Sequence, residues 1–216
     1  MEPHVFVAIN GILTSPGDAA GWTDRAVTWL HQRFPTDPIK AEKVEYFAGA
    51  LTRRFRQQKR AEQTAALVVS YLRRGFRVVL MAHSNGADIV ARSLAVIATE
   101  YVGLGIARRI TAHLFAPSAD GADFLRALQQ GALQRLHLYG SRADKALQLA
   151  KVSRSLVGWL GIGYGSLGLE AREFAAAHPG RVFDHSNDDF GHSDWWEPGE
   201  VFETTMEALV DHEFSA

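Results

Sequence analysis

The stretch VVLMAHSNGADIV, residues 78–90, joins a continuous apolar run to a polar turn and then to a second apolar segment. The apolar run predicts a buried strand, and the residues after Asn85 predict a helix. Ser84 stands at the junction. A side chain on such a sharp turn projects away from the sheet, and the small residues Ala82 and Gly86 allow strand and helix to approach closely. Ser84 is therefore a candidate nucleophile, and its alternative role is to cap the helix.

Strands and helices alternate along the whole chain. Continuous apolar strands such as residues 78–82 indicate a sheet that is covered on both faces and is therefore mostly parallel. We expect an open α/β sheet of six strands with helices on both faces, and a site beyond the carboxyl ends of the strands. The predicted strands are 4–10, 43–47, 76–82, 109–116, 133–140 and 181–186, and the predicted helices are 19–34, 55–75, 85–101, 121–130, one from near Asp144, and 198–214.

The composition is typical of a soluble globular protein and excludes several kinds of site. The chain has 216 residues, 47% hydrophobic and 22% charged, which predicts a single domain over residues 1–216. Cysteine is absent, so disulfides, zinc–thiolate sites and a cysteine nucleophile are excluded. The net charge of -1 gives no reason to expect nucleic acid as a partner.

The amino-terminal stretch MEPHVFVAINGILT has neither the basic segment nor the cleavage site of a signal peptide, so a cytoplasmic location is expected. No stretch reaches the roughly 20 apolar residues that a transmembrane helix needs. The sequence leaves the oligomeric state open.

The AHSNG element, residues 82–86, resembles the Gly-x-Ser-x-Gly turn of the α/β-hydrolase superfamily, with Ala82 in place of the first glycine. The order of elements is similar to that family over nearly the whole chain. The resemblance implies a serine hydrolase that cleaves carboxylic esters without a cofactor or a metal. It also implies a catalytic triad whose members follow one another in the order serine, acid and histidine.

The other two members of the triad follow from this order. Asp144 lies a few residues after the strand 133–140 and is the implied acid, although an aspartate there is also suited to start a helix. Asp120 and Asp123, after the preceding strand, are the alternative acids. His192, in the loop before the closing helix, is the implied base.

Two backbone amides are expected to form the oxyanion hole. The amide of Asn85 lies at a helix N-terminus, where it helps to hold a developing negative charge. The resemblance implies a second amide in the loop INGIL, residues 9–13, where Asn10 replaces a histidine that many relatives have. Ile12 is the implied donor, and Leu13 is the alternative.

A different interpretation of the last loop is a metal site. His185, Asp188, Asp189 and His192 form a His/Asp cluster that offers nitrogen and oxygen ligands. This interpretation leaves Ser84 unexplained, so we expect no metal at the site. The remaining histidines on or near the strands are expected to face the core or a helix layer; they are His4, His83, His113 and His137.

The segment SLVGWLGIGYGSLGLE, residues 155–170, combines five glycines with large apolar side chains. This composition is typical of a mobile flap and equally of a packed connection. Residues 151–180 are therefore expected to hold either a flap or lid insertion or a packed connection. Trp159, Tyr164 and Trp195 are the candidates for the pocket, although Trp195 and Trp196 together would also suit a core.

The expected substrate is a small ester with an apolar acyl group. The alternatives within the same chemistry are a lipid or cell-envelope esterase, a thioesterase and a peptidase, because one triad serves all of these acyl transfers. Outside enzymes, the alternative is a binding protein of the same fold with a silent triad.

Overall fold

The architecture is a parallel sheet covered by helices on both faces. The computed structural model describes residues 2–11, 21–36, 38–44, 53–101, 109–157 and 165–215, with side chains except at 53–56, 150 and 153–157. The strands are His4–Ile9 (β1), Ile39–Val44 (β2), Arg77–His83 (β3), Ile110–Phe115 (β4), Arg135–Tyr139 (β5) and Val182–Asp184 (β6). They pair in parallel in the order β2-β1-β3-β4-β5-β6. The six-stranded parallel sheet predicted from the sequence is confirmed.

The helices follow the strands along the chain. They are Gly21–Arg33 (α1), Arg53–Arg73 (α2), Gly86–Glu100 (α3), Gly121–Gln129 (α4), Lys145–Val157 (α5), Ala171–Ala177 (α6) and Glu200–Phe214 (α7). Short 3-10 turns occupy Leu167–Leu169 and Asp194–Trp196. The α6 helix was not predicted, because seven residues are too few to display a helical repeat of apolar positions. None of the described helices has the length and apolar character needed to cross a membrane.

The second strand exists, but the prediction of where it begins was wrong. It was expected at 43–47, but β2 runs from Ile39 to Val44, and residues 45–47 lie outside the described part of the chain. Among the described strands it lies at the edge of the sheet and pairs with β1 alone. Its middle residues are accordingly exposed or half-buried, so the segment IKAEKV lacks the apolar run that marks a central strand.

Alternate residues of each central strand enter two separate cores. In β1, Val5, Val7 and Ile9 belong to one core, together with residues of α2, α3, α4 and α6, whereas Phe6 and Ala8 belong to another, together with residues of α1 and α7. Each of these side chains is completely buried. A strand that is covered by helices on both faces therefore has an unbroken run of apolar residues in its sequence. This is the pattern from which the fold was predicted.

The order of the strands reverses beside β1. The chain passes from β1 to β2 on one side and then returns to add β3 on the other side. In open parallel sheets such a reversal leaves a crevice at the carboxyl ends of the two strands concerned, and ligands bind there. Gly11 and Ser84 follow the two strands at this point.

Candidate active site

Ser84 occupies a strained turn between β3 and α3. Its φ angle is 54°, a left-handed conformation that is rare for residues other than glycine and costs roughly 1–3 kcal/mol. The surrounding backbone holds it there, because its amide donates to the carbonyl of Phe115 at 2.9 Å and its carbonyl accepts from the amide of Ser118 at 3.0 Å. The cap position of α3 belongs to Asn85 rather than to Ser84. The turn therefore presents the Ser84 side chain without using it to start the helix.

Close approach of the backbones explains the small residues on either side of Ser84. A Cβ atom at Gly86 would lie 2.7 Å from the carbonyl oxygens of both Ile9 and Asn10, which is a clash with backbone. A Cβ atom at Gly11 would lie 3.1 Å from the Cβ of Ser84. The start of the loop after β1 is thus packed directly against the turn that carries Ser84.

Ser84, His192 and Asp144 are connected by two hydrogen bonds. His192 Nε2 lies 2.9 Å from Ser84 Oγ, and His192 Nδ1 lies 2.7 Å from Asp144 Oδ2. The side chain of Asp144 is fully buried and that of His192 is 25% exposed. Three residues that follow β3, β5 and β6 are therefore brought together in the arrangement of a nucleophile, a base and an orienting acid.

Asp144 has two roles in the structure. While Oδ2 faces His192, Oδ1 accepts the amide of Leu147 at 3.0 Å and caps α5. The two alternative acids make other contacts: Asp120 caps α4 through the amide of Ala122, and Asp123 pairs with Arg126 on the same helix.

His83 contacts the loop that carries His192, a link that the sequence analysis missed. Its Nε2 donates to the carbonyl oxygen of His192 at 2.8 Å, and the two rings lie 4.9 Å apart. Burial, reinforced by the neighbouring His192, lowers the pKa of His83 to about 4. His83 was expected to face the core, and it is indeed buried. Its position next to Ser84 was the one signal in the sequence for the additional contact.

Of the two expected donors of the oxyanion hole, Asn85 lies in the described part of the chain. Asn85 lies at the N-terminus of α3, and its buried side-chain oxygen accepts from Gln57 on α2. Ile12 and Leu13 lie outside the described residues, so a donor in that loop stays a prediction. Gly11, directly before them, contacts Ser84, which brings the start of the loop to the site.

Of the predicted pocket residues, only Trp195 falls in the described part of the chain, because Trp159 and Tyr164 lie outside it. Trp195 is 6% exposed. It packs edge-to-face against Phe115, Tyr139 and Phe190 in the core between the sheet and α7. This environment favours a packing role for Trp195 over a place in the pocket.

The described carboxyl-terminal part of the glycine-rich segment is packed. Residues up to Val157 complete α5, and residues 158–164 lie outside the described part. Further on, the amide of Gly168 donates to the carbonyl of Pro117, and its carbonyl accepts from the amide of Ser141. Ala171 and Ala175 of α6 enter the core. A flap therefore stays a prediction for residues 158–164, and Gly168 after them is anchored to the loops that follow β4 and β5.

The alternative metal site at His185, Asp188, Asp189 and His192 is not formed. Asp188 accepts from the amide of Arg142 at 3.0 Å and from the guanidinium of Arg172 at 2.8 Å. The hydrogen bond from the Arg142 amide, with the Arg172 charge, lowers the pKa of the Asp188 carboxyl. His192 faces Ser84 and Asp144. Among the described residues, groups suited to a metal lie elsewhere, around His137.

The strand order and the strained serine turn define the class of protein as an α/β hydrolase, as the resemblance implied. The chain matches the family model described as "Alpha/beta hydrolase of unknown function (DUF900)" over residues 45–164. This match covers more than half of the chain, so the chain belongs to that family.

Solved structures share the fold at low sequence identity. An esterase of Pyrobaculum calidifontis has a TM-score of 0.60 at 12% identity, over 99% of this chain and 77% of that one. A bacterial heroin esterase has a TM-score of 0.57 at 15% identity, over 97% and 73% of the two chains. The RedJ thioesterase of Streptomyces coelicolor has a TM-score of 0.52 at 14% identity, over 96% and 89%. No curated protein matches the sequence.

Proposed function

We propose that this α/β hydrolase is a serine hydrolase that cleaves carboxylic esters through Ser84, His192 and Asp144. The observation that carries the proposal is the pair of hydrogen bonds, 2.9 Å and 2.7 Å long, that joins the Ser84 hydroxyl through His192 to a fully buried carboxylate. A hydroxyl is a weak nucleophile until an adjacent base accepts its proton. The arrangement supplies both the base and the group that orients it.

In the first half of the reaction, Ser84 Oγ forms a bond to the carbonyl carbon of the ester while its proton passes to His192 Nε2. Asp144 accepts the Nδ1–H bond, holds the required tautomer and stabilises the imidazolium without becoming protonated. As the tetrahedral intermediate collapses, the carbon–oxygen bond to the alcohol breaks. His192 returns the proton to the departing oxygen.

In the second half, water replaces the alcohol. His192 removes a proton from the water as its oxygen attacks the acyl-enzyme, and it then returns a proton to Ser84 Oγ as the acid departs. The negative charge that develops on the carbonyl oxygen in both halves requires fixed donors. The amides of Asn85 and Ile12 are the proposed donors, and Gly11, packed against Ser84, supports this placement.

The proposed substrate is a small ester with an apolar acyl group. Esters have a better leaving group than amides, and a serine nucleophile serves either. The solved structures with this fold include two esterases and a thioesterase, so the sulfur analogue is the second candidate.

A series of p-nitrophenyl esters of increasing acyl length tests the proposal. We expect kcat/KM to rise with chain length, because each buried CH₂ contributes about 0.8 kcal/mol. Ser84→Ala should lower kcat by about 10⁴- to 10⁶-fold and leave the fold intact. Ser70→Ala, a change at an exposed serine on α2, is the control and should retain activity.

Matched thioesters and peptide amides with the same acyl group separate the alternatives. If kcat/KM is higher for the thioester than for the ester, thioesters are the substrate class instead of esters. A folded chain that hydrolyses none of the three would instead favour a binding protein with a silent triad.

A further inference from the structure

Four histidines lie between the sheet and α7, in a group that we call the histidine stack. His113 is on β4, His137 on β5, His185 directly after β6, and His212 on α7. The ring centroids of His113 and His137 are 4.3 Å apart, those of His137 and His185 are 5.2 Å apart, and those of His185 and His212 are 4.6 Å apart. The proposed ester hydrolysis uses none of these side chains.

Three of these histidines bring ring nitrogens together. One nitrogen from each of His137, His185 and His212 lies within 4.8 Å of the other two. His137 Nδ1 and His185 Nε2 are 2.9 Å apart. Zinc bound to nitrogen at about 2.0–2.1 Å in a tetrahedral site requires nitrogens about 3.3 Å apart. The 2.9 Å separation is that of a hydrogen bond between the two rings, so an ion would have to replace this hydrogen bond and widen the separation by a few tenths of an ångström.

The stack is partly open to solvent. His137 is buried, whereas His185 and His212 are half-buried. The latter two give an ion a route from solvent, and a water molecule would complete the coordination.

A buried nitrogen without a partner points to the same site. His137 is 3% exposed, and its Nε2 has no hydrogen-bond partner among the described residues. The same holds for Glu213 Oε2, which lies 3.7 Å from Arg135 Nη2. A nitrogen of His137, a nitrogen of His113 and a carboxylate oxygen of Glu213 lie within 4.8 Å of one another. If Nδ1 of His137 binds a metal, Nε2 carries the proton, and Glu213 would have to move closer to accept it, because the two groups are not hydrogen-bonded to each other.

That relation between a carboxylate, a histidine and a metal is common in zinc proteins, where the carboxylate fixes the tautomer and orientation of the ligand. Glu213 is itself positioned by His113, whose Nε2 lies 3.0 Å from Oε1. His113, His137 and Glu213 would make a poorer site by themselves, because all three are buried and Arg135 places a positive charge beside the carboxylate.

We propose that His137, His185 and His212 bind a zinc ion, with Glu213 as the outer partner of His137 and water as the fourth ligand. His185 precedes the loop that carries His192, and His212 lies on the helix that follows it. The ion would therefore join both ends of this segment to β5. The site is separate from Ser84 and does not depend on the proposed function.

Calorimetric titration with zinc chloride tests the site, using the full chain without an affinity tag, treated with a chelator and dialysed. We expect one zinc per chain, and an affinity at least 100-fold lower in His185→Gln and in His212→Gln. Glu213→Gln should lower the affinity by about 10- to 100-fold. His31→Gln, at an exposed histidine on α1, is the matched control and should bind as the unaltered chain does.

Cobalt(II) provides a second measurement that needs no variant. The unaltered chain should give the intense visible absorption of tetrahedral cobalt, and zinc should abolish it. The proposal is overturned if zinc binds no more tightly than about 100 μM, far from the affinity of a structural site. It is also overturned if binding survives both His185→Gln and His212→Gln, or is lost in His192→Gln, which would place the ion at Ser84.

Discussion

His192 and His137 illustrate two different uses of an imidazole in one sheet. Both nitrogens of His192 have partners of different chemistry, a carboxylate on one side and a hydroxyl on the other. His137 faces another histidine through Nδ1, and its buried Nε2 has no partner in the described part of the chain. A ring placed between an acid and a hydroxyl is arranged to move a proton. His137 is instead proposed to share the lone pair of Nδ1 with a cation.

After Ser84 itself, the largest effect on activity is expected at Asp144, whose loss should disturb His192 more than it disturbs the fold. Asp144→Asn should lower kcat by about 10⁴-fold, because an amide does not hold the required tautomer of the histidine. The free energy of unfolding should change by less than about 1 kcal/mol, because asparagine caps a helix as well as aspartate does. Ester hydrolysis and urea unfolding of the same variant measure the two effects.

Asp120→Asn is the matched control, because Asp120 caps α4 in the same way and is proposed to have no role in the reaction. It should retain full activity. If Asp120→Asn loses activity and Asp144→Asn keeps it, the acid has been assigned to the wrong loop.

His83 should give the fold a pH dependence of intermediate size. Its pKa is about 4 in the folded chain and about 6.5 in the unfolded chain, so the unfolded state binds more protons between these values. The stabilisation that comes from keeping His83 neutral is fully present above about pH 6.5 and is lost as the pH is lowered towards 4. The contribution of His83 to this loss is about 3 kcal/mol for a shift from 6.5 to about 4.

His83→Gln removes the titrating group and retains an amide able to donate to the His192 carbonyl. Urea unfolding of both proteins at pH 7, 6, 5 and 4 measures the effect. The difference in unfolding free energy between them should change by about 3 kcal/mol over this range. Parallel curves would mean that the His83 ring is protonated as readily in the folded chain as in the unfolded one.

The smallest effect concerns the close approach of α3 to β1. Gly86→Ala should destabilise the fold by about 1–3 kcal/mol, the cost typical of overpacking, because the new Cβ meets two carbonyl oxygens at 2.7 Å. Gly21→Ala is the control, because among the described residues its Cβ meets the flexible end of Arg25 and no backbone. Thermal unfolding of the two variants distinguishes them, and equal midpoints would contradict the close packing of the serine turn.

The sequence predicted the parts of the fold that depend on local pattern. The apolar run before Ser84 marks a strand that is covered on both faces, and the order of Ser84, Asp144 and His192 along the chain follows the order of their strands. The β2 strand was misplaced because an edge strand lacks this run, and α6 was missed because it is short. The edge strand and the short helix are thus recognised only once their neighbours in the sheet are known.

The contacts that the sequence did not reveal depend on register. His113 and His137 are direct partners in the pairing of β4 with β5, but nothing in either strand alone specifies that alignment. The link from His83 to the carbonyl of His192 likewise joins residues 109 positions apart. Contacts between neighbouring strands depend on how the strands are aligned. The contacts of His113 with His137 and of His83 with His192 could therefore be identified only in the folded structure.

Labelling with a fluorophosphonate probe, followed by mass analysis of the intact chain and its peptides, tests the central claim most directly. A nucleophilic serine displaces fluoride and keeps the phosphonyl group. We predict one adduct per chain, located on Ser84, absent in Ser84→Ala, slowed in His192→Gln and unchanged in Ser70→Ala. A folded chain that does not react, or a Ser84→Ala variant that is still labelled, would contradict the assignment of Ser84 as the nucleophile.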